Sequence, residues 1–371
     1  MLKFTANILL LILLSGCLFS KKIHIKNVGN FRLYEKDFKN LKDWDGDDHK
    51  LALQTFLHSC RKFSKLPQNK PLNGKFFDAT PEDYRDVCDI AEVVKTMSKK
   101  QTKNFFENWF KLFLVENSYG DDDGLFTGYY EPTLYGSFVK TEKYQYPIYA
   151  KPKVEASYLN LTRQEIESGA LDDQKLELLY VDNKVDLFFL HIQGSGKVIL
   201  PNGSEIKVSY AGKNQYPFTA ISNEMLKRNL IAKNEFNSRG VHKWLSNNLN
   251  ESQEIMNINQ SFTFFKLNDS DQVYGAQGVA LTKERSLAVD SEIIPFGSLL
   301  WLETSLRDQP QTKFNKLMVA QDTGSAIKGS IRGDIFFGNG IEAEEKAFTM
   351  ASNGKYYILL PINLVDKILG R

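Results

Sequence analysis

Apolar residues recur along this chain with two different periods, and the change falls close to the Asp121-Asp122-Asp123-Gly124 stretch. Before it, Leu53, Phe56, Leu57 and Cys60 stand at i, i+3, i+4 and i+7, and Tyr84, Val87, Cys88 and Ala91 repeat that spacing. A third stretch carries Phe105, Phe106, Trp109, Phe110 and Phe113. Residues three and four apart share one face of an α-helix, so the pattern predicts three amphipathic helices between about 48 and 116. Asp47 or Asp48 is suited to cap the first of them. Beyond Gly124 the apolar runs become short, alternating, and rich in β-branched and aromatic residues. LFTGYYEP, KYQYPIYA, VDLFFLHI, EIKVSYAG, SLLWLE and NKLMVAQDTG read as strands, while 218–258 reads as helical. Many short strands separated by Gly, Pro and Asn point to barrels rather than a doubly wound sheet.

The first residues break both patterns. Lys3 is followed by an apolar run from Ile8 to Leu14 and then by Ser15, Gly16 and Cys17. This is a secretory signal, too short to span a bilayer about 30 Å thick. Leu14-Ser15-Gly16-Cys17 resembles a bacterial lipobox, which implies removal of residues 1–16 and lipidation of Cys17. The alternative is an ordinary secretory peptide with Cys17 as a stray thiol. In lipoproteins of this kind, Leu18 rather than Asp after the cysteine implies sorting to the outer membrane, with the protein on its periplasmic face. Residues 17–47 are polar and irregular and are expected to form a tether. Cys60 and Cys88 then remain in an oxidising compartment, each on the apolar face of a helix. They form either one disulfide or two buried free thiols. There is no Cys-x-x-Cys and no His-Glu-x-x-His, so no metal site and no cofactor are expected. The acidic cluster Asp43, Asp45, Asp47 and Asp48 departs from a calcium loop, because glycine comes at Gly46 and position twelve is Gln54.

Composition narrows the ligand. The chain has 371 residues, room for two domains. Its 47 Lys and Arg nearly balance 45 Asp and Glu, leaving a net charge of +2, which argues against nucleic acid as a partner. Tyrosine-rich segments suit neutral, ring-shaped ligands as well as cores.

Four segments hold more Gly, Asp and Tyr than structural strands require: Gly128-Tyr129-Tyr130-Glu131-Pro132, His191-Ile192-Gln193-Gly194-Ser195-Gly196, Ser209-Tyr210-Ala211-Gly212-Lys213-Asn214, and the run from Gln321 to Gly338. Gly194-Ser195-Gly196 fails both nucleotide-loop patterns, at Ile199 and at Val198, and lacks Gly-x-Ser-x-Gly around Ser195. It reads as a turn offering amide and hydroxyl donors. Asp322 and Asp334 each flank a glycine turn, with Lys328 between them. A carboxyl half-desolvated there acquires a raised pKa and serves as a general acid; equally, both aspartates could only satisfy turn amides.

In order and spacing, GYYEP, QYPIYAKP, HIQGSG, YAGKN, SFTFFK, GVALTKERSLAVDSEIIPFG and QDTGSAIKGSIRGDIFFG resemble the membrane-bound lytic murein transglycosylase A family. The match runs from about Asn117 to the C-terminus. The resemblance implies a mainly β protein with N-terminal helices. A double-psi β-barrel domain would carry a smaller inserted β-barrel-like domain, with a groove between the two. The expected boundaries are 48–132 for the helices and the first part of the main domain, 133–258 for the substrate-binding insert, and 259–371 for the catalytic part with its module of three aspartates, Asp290, Asp322 and Asp334. Asp334 would be the catalytic acid and base, with Asp322 beside it. Gly128, Tyr129, Tyr130, Glu131, Gln193, Gly194, Ser195, Tyr210, Lys213, Asn214, Asp290 and Lys328 would line the groove. The implied activity is cleavage of peptidoglycan glycan strands between N-acetylmuramic acid and N-acetylglucosamine, leaving 1,6-anhydromuramyl ends. The lipid anchor holds the enzyme at the membrane, and the cell-wall synthesis machinery is a candidate partner. Two alternatives stand beside it: a hydrolase of the same polymer with Glu131 or Asp322 as second carboxylate, and a non-catalytic wall-binding lipoprotein.

Overall fold

A computed structural model describes residues 22–24, 31–75, 77–155, 158–307 and 309–370. Cys17 and the signal segment lie outside them. The stretch expected as tether joins the fold before its end. Strand β1 (Lys22–His24) pairs with β2 (Arg32–Lys36), and Phe31, Leu33 and Trp44 are buried. Trp44 stands edge-on to the fully buried Trp301, 5.0 Å between ring centroids. Asp47 does not cap the helix that begins at His49. It forms a buried ion pair with Arg285 at 2.7 Å and accepts from the Leu317 amide. Two desolvated charges are tolerated there because each is hydrogen-bonded as well as paired.

Three helices follow: α1 (His49–Phe63), α2 (Pro81–Val94) and α3 (Lys99–Trp109). The Asp48 carboxylate accepts from the Leu51 amide at the start of α1, and Asp83 closes a reciprocal cap with Thr80 at the start of α2. Their apolar faces meet, and Cys60 and Cys88 are disulfide-bonded across them with Cα atoms 5.4 Å apart.

The chain then enters β3 (Phe110–Glu116) and β4 (Gly124–Glu131), and crosses at Pro132 into a second sheet. That sheet uses β5 (Thr133–Ser137), β6 (Tyr146–Tyr149), β7 (Glu177–Val181), β8 (Ser195–Ile199), β9 (Glu205–Lys213) and β10 (Thr263–Asn268), in the order β10-β9-β8-β5-β7-β6. A bridge between Ala150 and Phe265 closes it into a ring. The second sheet thus extends past the expected boundary at 258. Between its strands lie α4 (Arg163–Glu167), α5 (Lys184–Gln193), α6 (Ile221–Lys227), α7 (Ser238–Asn247) and α8 (Leu249–Asn257).

Helix α5 corrects the reading of VDLFFLHI as a strand. Six of its ten residues are buried, so its apolar run carries no one-sided period, and a short buried run does not distinguish strand from helix. The deciding signals are at its ends: the Asn183 side chain accepts from the Val185 and Asp186 amides, and Gly194 takes φ 80° as the C-terminal cap.

The chain returns through β11 (Ser286–Val289), β12 (Leu299–Leu306), β13 (Gln309–Asp322), β14 (Arg332–Asn339), α9 (Ile341–Thr349), β15 (Ala351–Pro361) and α10 (Ile362–Leu369). The first sheet runs β1-β2-β3-β15-β12-β13-β11-β14-β4. A further β15–β4 pairing closes its last six strands into a second ring. In that ring β11–β13 and β14–β4 are parallel and the other pairs antiparallel. The protein is therefore mainly β, built on two closed six-strand rings with helices around them.

Candidate active site

Register places the acidic residues. Ala288 of β11 is the partner of Asp322 on β13 and of Asp334 on β14, and Asp334 in turn pairs with Thr127 on β4. Asp322, Asp334 and Thr127 thus form one row across four adjacent strands. Strands lie about 4.8 Å apart, so the two aspartates hang two strand spacings from one another. They face a cleft of about 1130 Å³ between the two rings. Tyr129 and the two aspartates line it on the side of the first ring, and Gln193, Tyr210 and Lys213 on the other. The backbone amide of Tyr130 donates to Gln193 Oε1 at 3.1 Å and stitches the two sides together.

Asp322 is fully engaged. Its Oδ1 accepts from the Ala276 amide at 2.8 Å and from the Thr323 amide at 2.9 Å, and its Oδ2 accepts from the Tyr129 hydroxyl at 2.8 Å. Burial nevertheless pushes its pKa up to about 6; the three donors offset part of that rise, and the Asp334 charge adds to it. The same burial, with the Asp322 charge beside it, holds the Tyr129 hydroxyl well above its ordinary range, so it stays a donor.

Asp334 has a different environment. Arg332 Nη2 donates to Thr127 Oγ1 at 2.9 Å, and Thr127 Oγ1 donates to Asp334 Oδ1 at 2.6 Å. A guanidinium can only donate, so the threonine's single proton must point at the aspartate. Oδ1 is therefore an acceptor, and a proton on Asp334 resides on Oδ2, which has no hydrogen bond among the described residues. Burial raises the Asp334 pKa, and Arg332 and the Thr127 hydroxyl oppose part of the rise. Asp322 thus receives three donors and Asp334 one, so the protein's hydrogen bonds favour the anion more strongly at Asp322.

Other residues singled out in the sequence divide into two groups. Tyr129, Gln193, Gly194, Ser195, Tyr210, Lys213, Asp322, Lys328 and Asp334 border the cleft. Gly128, Tyr130, Glu131, Asn214 and Asp290 stand behind it. A Cβ on Gly128 would lie 2.4 Å from the Phe337 ring, and the Tyr130 hydroxyl donates to Glu344. Glu131 is 1 % exposed, ion-paired with Lys207 at 3.1 Å and bonded by Asn339, which removes it as a second carboxylate for a hydrolase. Asn214 joins the Leu161, Gln260 and Phe262 backbones. Asp290 accepts from the Gly329 amide and faces Lys328, fixing the loop after Asp322. Sequence reading missed Thr127, Arg332 and the 268–278 loop that carries the Ala276 amide. Thr127 was detectable as the residue two before Tyr129 on an alternating strand, since i and i+2 share a face.

A family model described as the MltA specific insert domain matches residues 125–266, and one described as the 3D domain matches 285–360. Membrane-bound lytic murein transglycosylase A of Escherichia coli is 35% identical over 291 residues, covering 76% of this chain and 78% of that protein. The crystal structure of a membrane-bound lytic murein transglycosylase from Agrobacterium tumefaciens superposes with a TM-score of 0.81 at 29% identity, covering 90% of this chain and 99% of that one. The E. coli MltA structure with bound chitohexaose gives 0.67 at 28% identity, covering 82% and 90%. With a relative 35% identical over three quarters of the chain and both family models matching around a cleft floored by aspartates, this chain belongs to the membrane-bound lytic murein transglycosylase A family.

Proposed function

We propose that this protein is a peptidoglycan lytic transglycosylase in which Asp334 is the acid and base. The observation that carries the assignment is the Arg332–Thr127–Asp334 relay, which leaves Oδ2 of this cleft-lining residue without a hydrogen bond among the described residues and so as the position for a proton. Asp334 Oδ2 protonates the oxygen between N-acetylmuramic acid and N-acetylglucosamine as that bond breaks. The muramyl 6-hydroxyl attacks the anomeric carbon from within the same sugar and returns its proton to Asp334. The product is a 1,6-anhydro end, and no water is consumed. Intramolecular attack supplies the high effective concentration that a second, water-activating carboxylate would otherwise have to replace. Asp322, whose three donors favour its anion, stabilises positive charge developing at the sugar ring, and burial favours the proton on Asp334.

The mixed parallel and antiparallel ring supports a double-psi reading of the first barrel, with the second as its insert. The lipobox-like Leu14-Ser15-Gly16-Cys17 supports an acyl anchor in the outer membrane. Among the described residues no helix is long and apolar enough to cross a membrane.

Digestion of purified sacculi tests the assignment. The wild-type protein releases anhydro-ended fragments, one water lighter by mass spectrometry than hydrolysis products. Asp334→Asn releases none while still sedimenting with sacculi. Reducing ends from the wild type, or fragments from the variant, would refute it.

A further inference from the structure

The cations bordering the cleft are not equivalent. Lys328 is neutralised by Glu292 at 3.0 Å and Asp290 at 3.5 Å, and Lys266 is exposed at the rim. Lys213 is half-buried in the wall opposite the aspartates, and its Nζ donates to the Tyr216 carbonyl at 3.1 Å. No carboxylate lies within ion-pair distance of it among the described residues. Its place is fixed by the sheet, because Lys213 is the register partner of Thr263 on β10, and both border the cleft. Burial with no compensating anion draws its pKa below the ordinary lysine value. A half-desolvated ammonium with one carbonyl for company gains most from an anionic partner brought by a ligand.

We propose that Lys213 recognises a carboxylate carried by the glycan's muramic acid residues, either the free lactyl group or the attached peptide, and so distinguishes wall glycan from neutral glycans of the same ring chemistry. The proposal rests on the reading of the cleft as a glycan site. A charge-assisted hydrogen bond at a partly buried lysine corresponds to about tenfold in affinity.

The test uses the Asp334→Asn protein, which holds strands without cutting them. Its dissociation constants are measured for chitohexaose, which has no carboxylate, for a peptide-free muramic acid strand of the same length, and for a peptide-bearing strand. At least one carboxylated strand should bind about tenfold more tightly than chitohexaose. A preference for the peptide-free strand places the anion on the lactyl group, and a preference for the peptide-bearing strand places it on the stem. Adding Lys213→Met should bring the ratio of affinities to within about twofold of unity, and Lys213→Arg should restore it. A ratio near one in the parent, or an unchanged ratio with Lys213→Met, overturns the proposal while leaving the glycan reading intact. Binding of none of the three would overturn the glycan reading itself.

Discussion

Asp322 is held in a site that costs the folded protein stability, and the cost has a definite pH window. Its pKa rises from 3.8 to about 6 on folding because burial penalises the carboxylate. Below about pH 3.8 the group is protonated whether the chain is folded or not, and it contributes no penalty. As the pH rises toward 6 the unfolded chain ionises first, so stability is lost across that interval and the loss is complete above it. Two pKa units correspond to about 3 kcal/mol. Asp322→Asn removes the charge while its amide oxygen still accepts from Ala276 and Thr323. The variant should therefore unfold at higher urea at pH 8, by up to about 3 kcal/mol, and at the wild-type midpoint at pH 3.5. Sacculus digestion should fall in parallel, since the negative charge proposed to stabilise the sugar ring is gone. A stability difference that is absent at pH 8, or the same at both pH values, would refute the desolvation account.

Other perturbations read separate parts of the structure. Thr127→Val removes the donor to Asp334 Oδ1 and should shift the alkaline limb of the digestion profile to higher pH; an unmoved limb would dissociate Thr127 from the acid. Cys60→Ser with Cys88→Ser opens the cross-link between residues 28 apart and should lower urea stability by about 3 kcal/mol, with the anhydro product unchanged. Equal stability would mean that the unfolded chain gains nothing from losing the bridge. Gly128→Ala drives a methyl into the Phe337 ring and should cost about 1–3 kcal/mol by chemical denaturation; a wild-type midpoint would show that the ring yields.

The sequence was most legible where one face of an element is buried and the other is wet. Helices α1 and α2 show their apolar stripe at helical spacing, which puts Cys60 and Cys88 on apolar faces but leaves a disulfide and two buried thiols as alternatives. It was least legible where burial is all round: the apolar run of α5 reads as a strand, and only its Asn183 and Gly194 caps mark it as a helix. Phe31, Leu33 and Trp44 are sparse in a polar stretch and do not stand out, although Phe31 meets Phe77, Leu33 pairs with Val115 of β3 and Trp44 stands against Trp301. Within the site, reading motifs as blocks blurred the division that a strand imposes. Along β4, Thr127 and Tyr129 reach the aspartates while Gly128 and Tyr130 pack away from them. Long-range partners such as Ala276 were invisible, since nothing local records which amide will meet a carboxylate 46 positions away.

The row that joins Asp322, Ala288, Asp334 and Thr127 has a consequence for how such an enzyme can change. The distance between Asp334 and Asp322 is set by the spacing of hydrogen-bonded strands in one closed ring, and a ring has no free edge along which that distance can drift. The opposite wall of the cleft belongs to the other ring, joined to the first at Pro132 and through residues 269–285. Substrate preference can therefore be rewritten on one body, residue by residue, while the proton chemistry on the other stays calibrated.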